Sequence, residues 1–309
     1  MDTLAAGISF ADLRFQGTPR VIATAVLQGS SGVALLDPGP TSTWPTLRQE
    51  LQQSGIALAD VTALVLTHIH LDHAGATGTL VRENPRLRVY VHEKGAPHMI
   101  DPSKLLASAS RLYGDAMDRL WGEVRPVPKE AIVVVNEGDR IVAGGRTLDV
   151  AYTPGHASHH VSYFNADSGI AFVGDTAGIK RRARGYVLPP TPPPDIDLEL
   201  WSESLARVGS WHPETLFLTH FGPSSPSAAH LTELGDHFAV VRDFAARSLQ
   251  QDGDDDARAA WFTDEVRREL RRHLDEREAA EYEVAGRFDL NWRGLVRYLK
   301  KKDEAGARK

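Results

Sequence analysis

The sequence predicts an α+β protein with a helical region at its C-terminal end, and three observations support this. Short apolar runs rich in Val, Ile and Leu alternate with helical patterns over roughly the first 220 residues. Turns that contain Pro or Gly separate these runs. From about residue 227 onward the apolar spacing becomes helical throughout. We therefore expect a region of strands and helices, residues 1–226, followed by a helical region, residues 227–309.

The strands of the first region are predicted from alternating or continuously apolar runs that end in turn residues. A helix from about Ser42 to Ser54 follows the turn at 37–40, and a second follows near Ala76–Arg82. Another helix starts near Asp197, after five prolines within 189–194 that force an extended chain. The predicted strands are 21–27, 32–36, 61–66, 87–91, 132–135, 140–142, 147–152, 160–164, 170–173 and 215–218.

Residues 101–125 interrupt the strand pattern with apolar side chains at helical spacing, among them Leu105, Leu112 and Trp121. Two interpretations are open. The helices pack as ordinary elements of the core, or they form an insertion that covers a functional site and presents apolar groups to a ligand.

The C-terminal region contains amphipathic stretches at about Ala228–Leu249 and Ala257–Glu281, separated by the acidic segment Asp252–Asp256. A third stretch lies near Trp292–Lys301. The charges on these helices are expected to face solvent.

The composition is that of an ordinary globular protein, with 42% apolar and 25% charged residues. A net charge of −6 argues against nucleic acid as the main partner. The chain has no cysteine, so a metal would be held by imidazole and carboxylate groups. Neither a signal-peptide pattern nor a membrane-spanning apolar run is present, so we expect a cytoplasmic protein that does not contact membranes.

Four side chains of the metal-binding type lie within six residues directly after a predicted strand: His68, His70, Asp72 and His73. A lone histidine is more often a core or surface residue. Three imidazoles and a carboxylate crowded together are costly unless a cation balances them. Alternation places His68 and His70 on one side of an extended turn, with Asp72 and His73 near a second position. This arrangement suits two metals about 3.5–4 Å apart.

Three further residues of the same type, His156, Asp175 and His220, each follow an apolar strand and a small or turn residue. Gly155 and Gly174 directly precede two of them, and glycine permits a close backbone approach. Loops at strand ends commonly carry functional sites. Together with the histidine cluster, these residues make a candidate metal site of seven side chains.

The order and spacing of these seven side chains resemble the complete ligand set of the metallo-β-lactamase-fold hydrolases, over roughly residues 18–225. The resemblance implies an αββα sandwich, in which two sheets pack face to face with helices outside and the site lies at one sheet edge. It also implies that Asp175 bridges two metals. Of the remaining ligands, one metal takes His68, His70 and His156, and the other takes Asp72, His73 and His220.

The implied cofactor is a pair of divalent metal ions, with zinc as first choice and iron or manganese also compatible with the donors. A water shared by two such ions is deprotonated near neutral pH and can attack a carbonyl or phosphoryl group. Asp72 is the candidate catalytic residue that hands a proton to the leaving group. Asp37 and His160 are expected to support the ligands from behind.

The resemblance narrows the reaction more than the substrate. The β-lactamase types that use a cysteine ligand are disfavoured, because the chain has none. The glyoxalase II-like group shares the ligand set and a helical C-terminal region, which implies hydrolysis of an ester, thioester or lactone bond in a small molecule. Two alternatives stay open: a phosphodiesterase or nuclease-type hydrolase of the same fold, and a non-catalytic metal-binding interaction protein.

The loop after Asp175 departs from the glyoxalase II pattern. Its basic residues, including Lys180 and Arg182, either form a solvated loop or hold a substrate carboxylate or phosphate. Tyr186 is a candidate substrate contact, because related lactonases place a tyrosine where this chain has Gly178. The C-terminal helices are compatible with a homodimer or with closure over the pocket.

Overall fold

The computed structural model describes residues 1–306 and contains two β-sheets that pack face to face, with helices on both outer sides. Three apolar clusters correspond to the three interfaces: one lies between the sheets, and one lies between each sheet and its helices. The predicted α+β sandwich with a helical C-terminal region is confirmed.

The first sheet has seven strands that neighbour one another in chain order. Its first four strands are antiparallel, and the strands from the fourth to the seventh are parallel, with helices in the connections. The strands are β1 (Asp2–Ala5), β2 (Ile8–Asp12), β3 (Ala23–Gly29), β4 (Gly32–Leu36), β5 (Val61–Val65), β6 (Arg88–His92) and β7 (Ile132–Val135). The connecting helices are α1 (Trp44–Gln53), α2 (Leu71–Ala74), α3 (Thr77–Glu83), α4 (Ala96–Ile100), α5 (Ser103–Tyr113) and α6 (Met117–Trp121).

The second sheet has six strands in the order β13-β12-β11-β10-β9-β8, and its β11–β12 pair is the parallel one. Helix α7 (Leu198–Ser210) lies in the crossover between these two strands, and the side chain of Asp197 caps its first turn, as the sequence predicts. The strands are β8 (Arg140–Ala143), β9 (Arg146–Tyr152), β10 (Val161–Asn165), β11 (Ile170–Phe172), β12 (Thr215–Leu218) and β13 (Gly222–Ser224).

Strand β3 shows why the chain folds into layers. Ala25 and Leu27 point into the core between the sheets, whereas Val26, on the opposite face, packs against the helices of the first sheet. Both faces are buried, so the strand is a continuously apolar run in the sequence. The short strands β1, β2 and β13 were not predicted. Strand β13 contains a glycine and a proline, and its pairing with β12 overrides their low strand propensity.

The C-terminal helices are α8 (Ser227–Ser248), α9 (Asp255–His273), α10 (Glu276–Ala285) and α11 (Phe288–Gly306). The prediction of a single amphipathic stretch over 257–281 is wrong, because Leu274 is extended and the side chain of Asp275 caps a new helix by accepting from the Glu278 N–H at 2.8 Å. Within residues 1–306, no helix combines the length and apolar character that crossing a bilayer requires.

Candidate metal centre

The structure brings all seven predicted side chains together at one edge of the sandwich, where strands of both sheets end. The segment that carries four of them follows β5 and includes α2, and the other three follow β9, β11 and β12. Their donor atoms form two groups, and within each group the atoms lie within 4.8 Å of one another. The first group is His68, His70, His156 and Asp175, and the second is Asp72, His73 and His220.

In the first group the donor atoms converge on the Nδ1 atom of His70. This atom lies 3.0 Å from Nε2 of His68 and 3.0 Å from Nε2 of His156. Oδ2 of Asp175 lies 3.2 Å from the same His156 nitrogen and 4.0 Å from that of His68. Three ring nitrogens and one carboxylate oxygen therefore face a common point.

In the second group Oδ2 of Asp72 lies 3.8 Å from Nε2 of His73 and 3.4 Å from Nε2 of His220. The other oxygen of Asp175, Oδ1, lies 3.3 Å and 3.4 Å from these two nitrogens. Asp175 thus presents one oxygen to each group of donors.

Backbone carbonyls fix two of the imidazole rings. Nδ1 of His156 lies 2.9 Å from the Pro190 carbonyl, and Nδ1 of His220 lies 2.6 Å from the Val21 carbonyl. Because a carbonyl oxygen only accepts, each Nδ1 carries the proton and each Nε2 keeps its lone pair toward the donor cluster.

Asp37 lies behind the second group of donor atoms, where the sequence analysis expects it to support the candidate ligands, and it holds the neighbouring loops by hydrogen bonds. Its Oδ2 accepts from Nδ1 of His73 at 2.9 Å and from the hydroxyls of Thr67 and Thr219 at 2.7 and 2.8 Å. Its Oδ1 accepts from the Thr67 N–H at 2.8 Å. One buried carboxylate therefore ties the loops after β5 and β12 to the end of β4.

His160 lies behind Asp175 rather than among the donor atoms. Its Nε2 accepts from the Asp175 N–H at 3.2 Å, and its Nδ1 lies 3.0 Å from the Thr153 hydroxyl. Gly174, at φ +47°, is needed here because a Cβ at this position would collide with Thr67 and His160. The glycine thus allows the Asp175 loop to pack tightly against the histidine.

The electrostatics of the site favour cation binding. Burial holds the pKa of His68 well below its usual value and lowers that of His156, so both rings are neutral at neutral pH. Burial acts to raise the pKa of Asp72, but the charge of His73 together with the hydrogen bond and charge of His220 outweighs burial and lowers that pKa to about 2. Burial also acts to lower the pKa of His73, yet the carboxylates, Asp175 first, raise it well above its usual value. The carboxylates therefore supply negative charge that a cation can balance.

Two buried atoms of the site have no hydrogen-bond partner within residues 1–306: Nε2 of His73 and Oδ1 of Asp175. Such an unpaired group costs about 1–3 kcal/mol. A metal ion between them would satisfy both, and imidazole with carboxylate is a donor set that divalent transition metals accept. The residues present therefore fit a divalent metal.

A cavity of about 680 Å³ opens over the donor groups. The insertion at 101–125 lines it with one face of α5 and with Trp121, so these helices serve the core and the site together. The proline-rich segment contributes Pro190 and its neighbours, and the α10–α11 junction contributes Val284, Leu290 and Asn291. The insertion at 101–125 and the C-terminal helices, whose roles the sequence left open, thus both line the cavity.

The structure places the three candidate substrate contacts after Asp175 outside the lining of this cavity. Nζ of Lys180 lies 3.7 Å from a Glu233 oxygen, and Nε of Arg182 lies 2.6 Å from a Glu278 oxygen. Tyr186 is buried, and its ring stacks on His237 at 3.9 Å between centroids. All three side chains bind the C-terminal helices instead, and a sequence does not show which acidic residues will face a basic loop.

His159 has a closer relation to the site than the sequence suggests. Its ring lies in the cavity wall, 5.6 Å from that of His70, and its Nδ1 is buried without a partner within residues 1–306. Thr67 and Thr219 were also not predicted. The only signal for these threonines is that each directly precedes a candidate ligand histidine.

The two-sheet sandwich and its cluster of imidazole and carboxylate donors define the class: a metal-dependent hydrolase fold. The model of the Metallo-beta-lactamase superfamily matches residues 17–220, and the chain belongs to this superfamily. The resemblance drawn from the ligand pattern is thereby confirmed.

Three known proteins illustrate the similarity. The chain is 32% identical to the metallo-beta-lactamase fold-containing protein ST1585 of Sulfurisphaera tokodaii over 166 residues, 53% of this chain and 61% of that protein. It is 26% identical to a hydroxyacylglutathione hydrolase of Buchnera aphidicola over 151 residues, 49% of this chain and 45% of that protein. The chain therefore spans less than two thirds of the length of either relative.

The third similar protein is the metallo-beta-lactamase family protein TTHA1429 from Thermus thermophilus, which is known from a crystal structure. It superimposes with a TM-score of 0.72, covering 97% of this chain and 95% of that one at 21% identity. This likeness shows a shared fold, and its coverage includes the C-terminal helices.

Proposed function

We propose that this protein is a dinuclear-metal hydrolase that cleaves an ester, thioester or lactone bond in a small molecule. The observation that supports this most directly is the position of Asp175, whose two oxygens each face a separate group of donors at 3.2 to 3.4 Å. A carboxylate so placed suits a pair of cations rather than one.

The proposed metal ligands are the seven side chains of the two groups, with Asp175 shared between them. Zinc is the first choice, and iron or manganese fit the same donors. When bound, the pair would supply a water that is deprotonated near neutral pH and positive charge toward the oxyanion of the substrate. Asp37, Pro190 and Val21 orient the histidine rings, and the cavity walls exclude water around the substrate.

Asp72 is the proposed proton carrier. Its pKa of about 2 makes it a carboxylate at neutral pH. After hydroxide has added to the carbonyl, Asp72 would accept the proton that the added oxygen still carries and pass it to the leaving group as that bond breaks. Asp72 also lines the cavity, which places it beside a bound substrate.

Three observations favour carbonyl substrates over phosphodiesters. Aliphatic and aromatic side chains such as Leu112 and Trp121 line part of the cavity, and the net charge of −6 does not attract polyanions. The similarity to a hydroxyacylglutathione hydrolase points toward acyl transfer to water. A nuclease-type hydrolase and a non-catalytic metal-binding protein are the outcomes that would contradict this choice.

The test is elemental analysis of purified, metal-loaded protein, followed by hydrolysis assays with thioesters, esters, lactones and phosphodiesters. We expect close to two metal ions per chain and turnover of at least one carbonyl class. Turnover of phosphodiesters alone would identify a nuclease-type enzyme, and metal binding without any turnover would indicate the interaction protein.

The role of Asp72 is tested with Asp72→Asn and a pair of esters that share one acyl group. One ester has a phenol leaving group of low pKa, and the other has an alkyl alcohol of high pKa. A proton carrier predicts a larger loss of kcat for the alkyl ester, because that leaving group needs the proton. Equal losses for both esters at equal metal content would contradict the role.

A further inference from the structure

We propose that the substrate carries a large uncharged apolar group, which the walls of the cavity cover while the scissile carbonyl lies at the donor groups. The position of the scissile carbonyl rests on the proposed function. The apolar group of the substrate is inferred from the walls of the cavity alone. A cavity of about 680 Å³ has room for both parts of such a molecule.

The first wall is one face of α5. Leu105, Ser108, Ala109 and Leu112 line the cavity, and their spacing of three and four residues places them on a single helix face. Leu105 and Leu112 remain partly exposed, so apolar surface faces the cavity instead of the protein core. Tyr113 extends this wall.

The second wall is the junction between α10 and α11, where Val284 and Leu290 line the cavity. Val284 is 37% exposed, so part of its apolar surface is available to a ligand in the cavity. Deeper in the cavity the ring of Phe15 stacks on Trp121 at 5.6 Å between centroids. The site is thus enclosed by apolar groups from three separate parts of the chain.

Charged side chains also line the cavity, and those of the second wall are paired within the protein. The guanidinium of Arg287 binds the Asp289 carboxylate through two nitrogens, at 2.9 and 2.7 Å. Glu283 forms a bidentate pair with Arg267. An apolar group therefore meets the second wall without separating an unpaired charge from water. On the first wall Lys104 is exposed, so its charge stays in contact with water.

The first experiment measures binding without requiring turnover. Methyl ketones with alkyl chains of two, four, six and eight carbons present a carbonyl that cannot be hydrolysed, and calorimetry with the metal-loaded protein gives their Kd. We expect Kd to fall about fourfold for each added methylene, as expected for burial of a CH₂ group. A Kd that does not change with chain length overturns the proposal.

The second experiment asks which side of the bond carries the apolar group. One series of thioesters lengthens the acyl chain, and another keeps an acetyl group and lengthens the thiol. We expect kcat/KM to rise roughly 250-fold over four added methylenes in one series. A flat response in both series overturns the proposal.

Substitutions in the walls test whether the walls cause the dependence of binding on chain length. Leu112→Trp and Val284→Trp fill the cavity from opposite sides, and each should weaken the preference for the longest over the shortest ketone at least tenfold. Leu106→Trp is the matched control, because Leu106 is on α5 with similar burial but outside the cavity lining. An equal change in the control and the wall variants overturns the assignment.

The two sets of measurements separate the two proposals. Chain-length-dependent ketone binding with no hydrolysis of any ester would contradict the proposed hydrolase and leave the apolar pocket standing. Hydrolysis of short and long esters at equal rates, with flat ketone binding, would contradict the apolar pocket and leave the hydrolase standing.

Discussion

The floor and the walls of the cavity are built in different ways. The floor consists of short loops at strand ends, and its side chains are buried and held by hydrogen bonds to carbonyls and to Asp37. The walls consist of helices outside the sandwich, and their apolar side chains are partly exposed. The two proposals follow this difference, since the floor carries the proposed chemistry and the walls carry the proposed substrate contacts.

The largest effect is expected from Asp175→Asn in the floor. The amide loses the charge and replaces an acceptor oxygen with a donor, so metal occupancy should fall below half. The value of kcat/KM should fall more than about 100-fold, beyond what loss of a supporting residue costs. Elemental analysis measures the metal occupancy, and ester kinetics measure kcat/KM.

The control for Asp175→Asn is Asp149→Asn, whose carboxylate pairs with Arg140 on the outer part of the second sheet, away from the cavity. This variant should keep the metal and the activity. If Asp175→Asn retained two metal ions and wild-type kinetics, the shared-ligand role would be wrong.

A second prediction concerns the link between the floor and the C-terminal helices. His230 on α8 lies 2.7 Å from the Ala177 carbonyl in the loop after Asp175, and burial lowers its pKa to about 4. The unfolded chain binds this proton below about pH 6.5 while the folded chain does not, so stability is lost as pH falls from 6.5 to 4. The loss should reach up to about 3 kcal/mol.

Urea unfolding of chelator-treated protein at several pH values tests this link. The free energy of unfolding of the wild type should fall with decreasing pH more steeply than that of His230→Gln, since glutamine does not titrate. Parallel curves for the two proteins would show that His230 does not couple α8 to the floor.

A third prediction concerns support from behind the floor. Asp37→Ala removes the acceptor of His73, Thr67 and Thr219, so the loops after β5 and β12 lose their common anchor. Metal affinity should fall about 10- to 100-fold. Competition with a chelator of known affinity measures it, and Thr62→Ala, which removes an outer hydroxyl on β5, is the matched control.

The smallest effect is expected from Arg182→Gln in the loop after Asp175. Its guanidinium is half-exposed and pairs with Glu278, away from the cavity. Such a surface pair contributes up to about 1 kcal/mol to stability, and kcat/KM should change less than about twofold for anionic and neutral substrates alike. A selective rise in KM for anionic substrates would restore the role that the sequence suggested.

The sequence alone determined the sandwich and the metal-binding character of the floor. His68, His70, Asp72 and His73 lie within six residues, so their proximity follows from local geometry and needs no tertiary information. The three remaining candidates follow apolar strands, and strand ends meet at sheet edges. Periodicity likewise predicts individual elements, because buried strands such as β3 are apolar on both faces, and the resemblance of the ligand pattern implies how these elements are layered.

Only the tertiary structure decided what surrounds these donors. The carbonyls of Val21 and Pro190 orient two rings, but every residue has a carbonyl, so no residue type marks them. Lys180 and Arg182 pair with Glu233 and Glu278, and the sequence could not show this, because charge predicts attraction to some anion without showing which anion lies nearby. The cavity joins Leu112 to Val284 from distant parts of the chain, and such contacts depend on how helices pack rather than on local spacing.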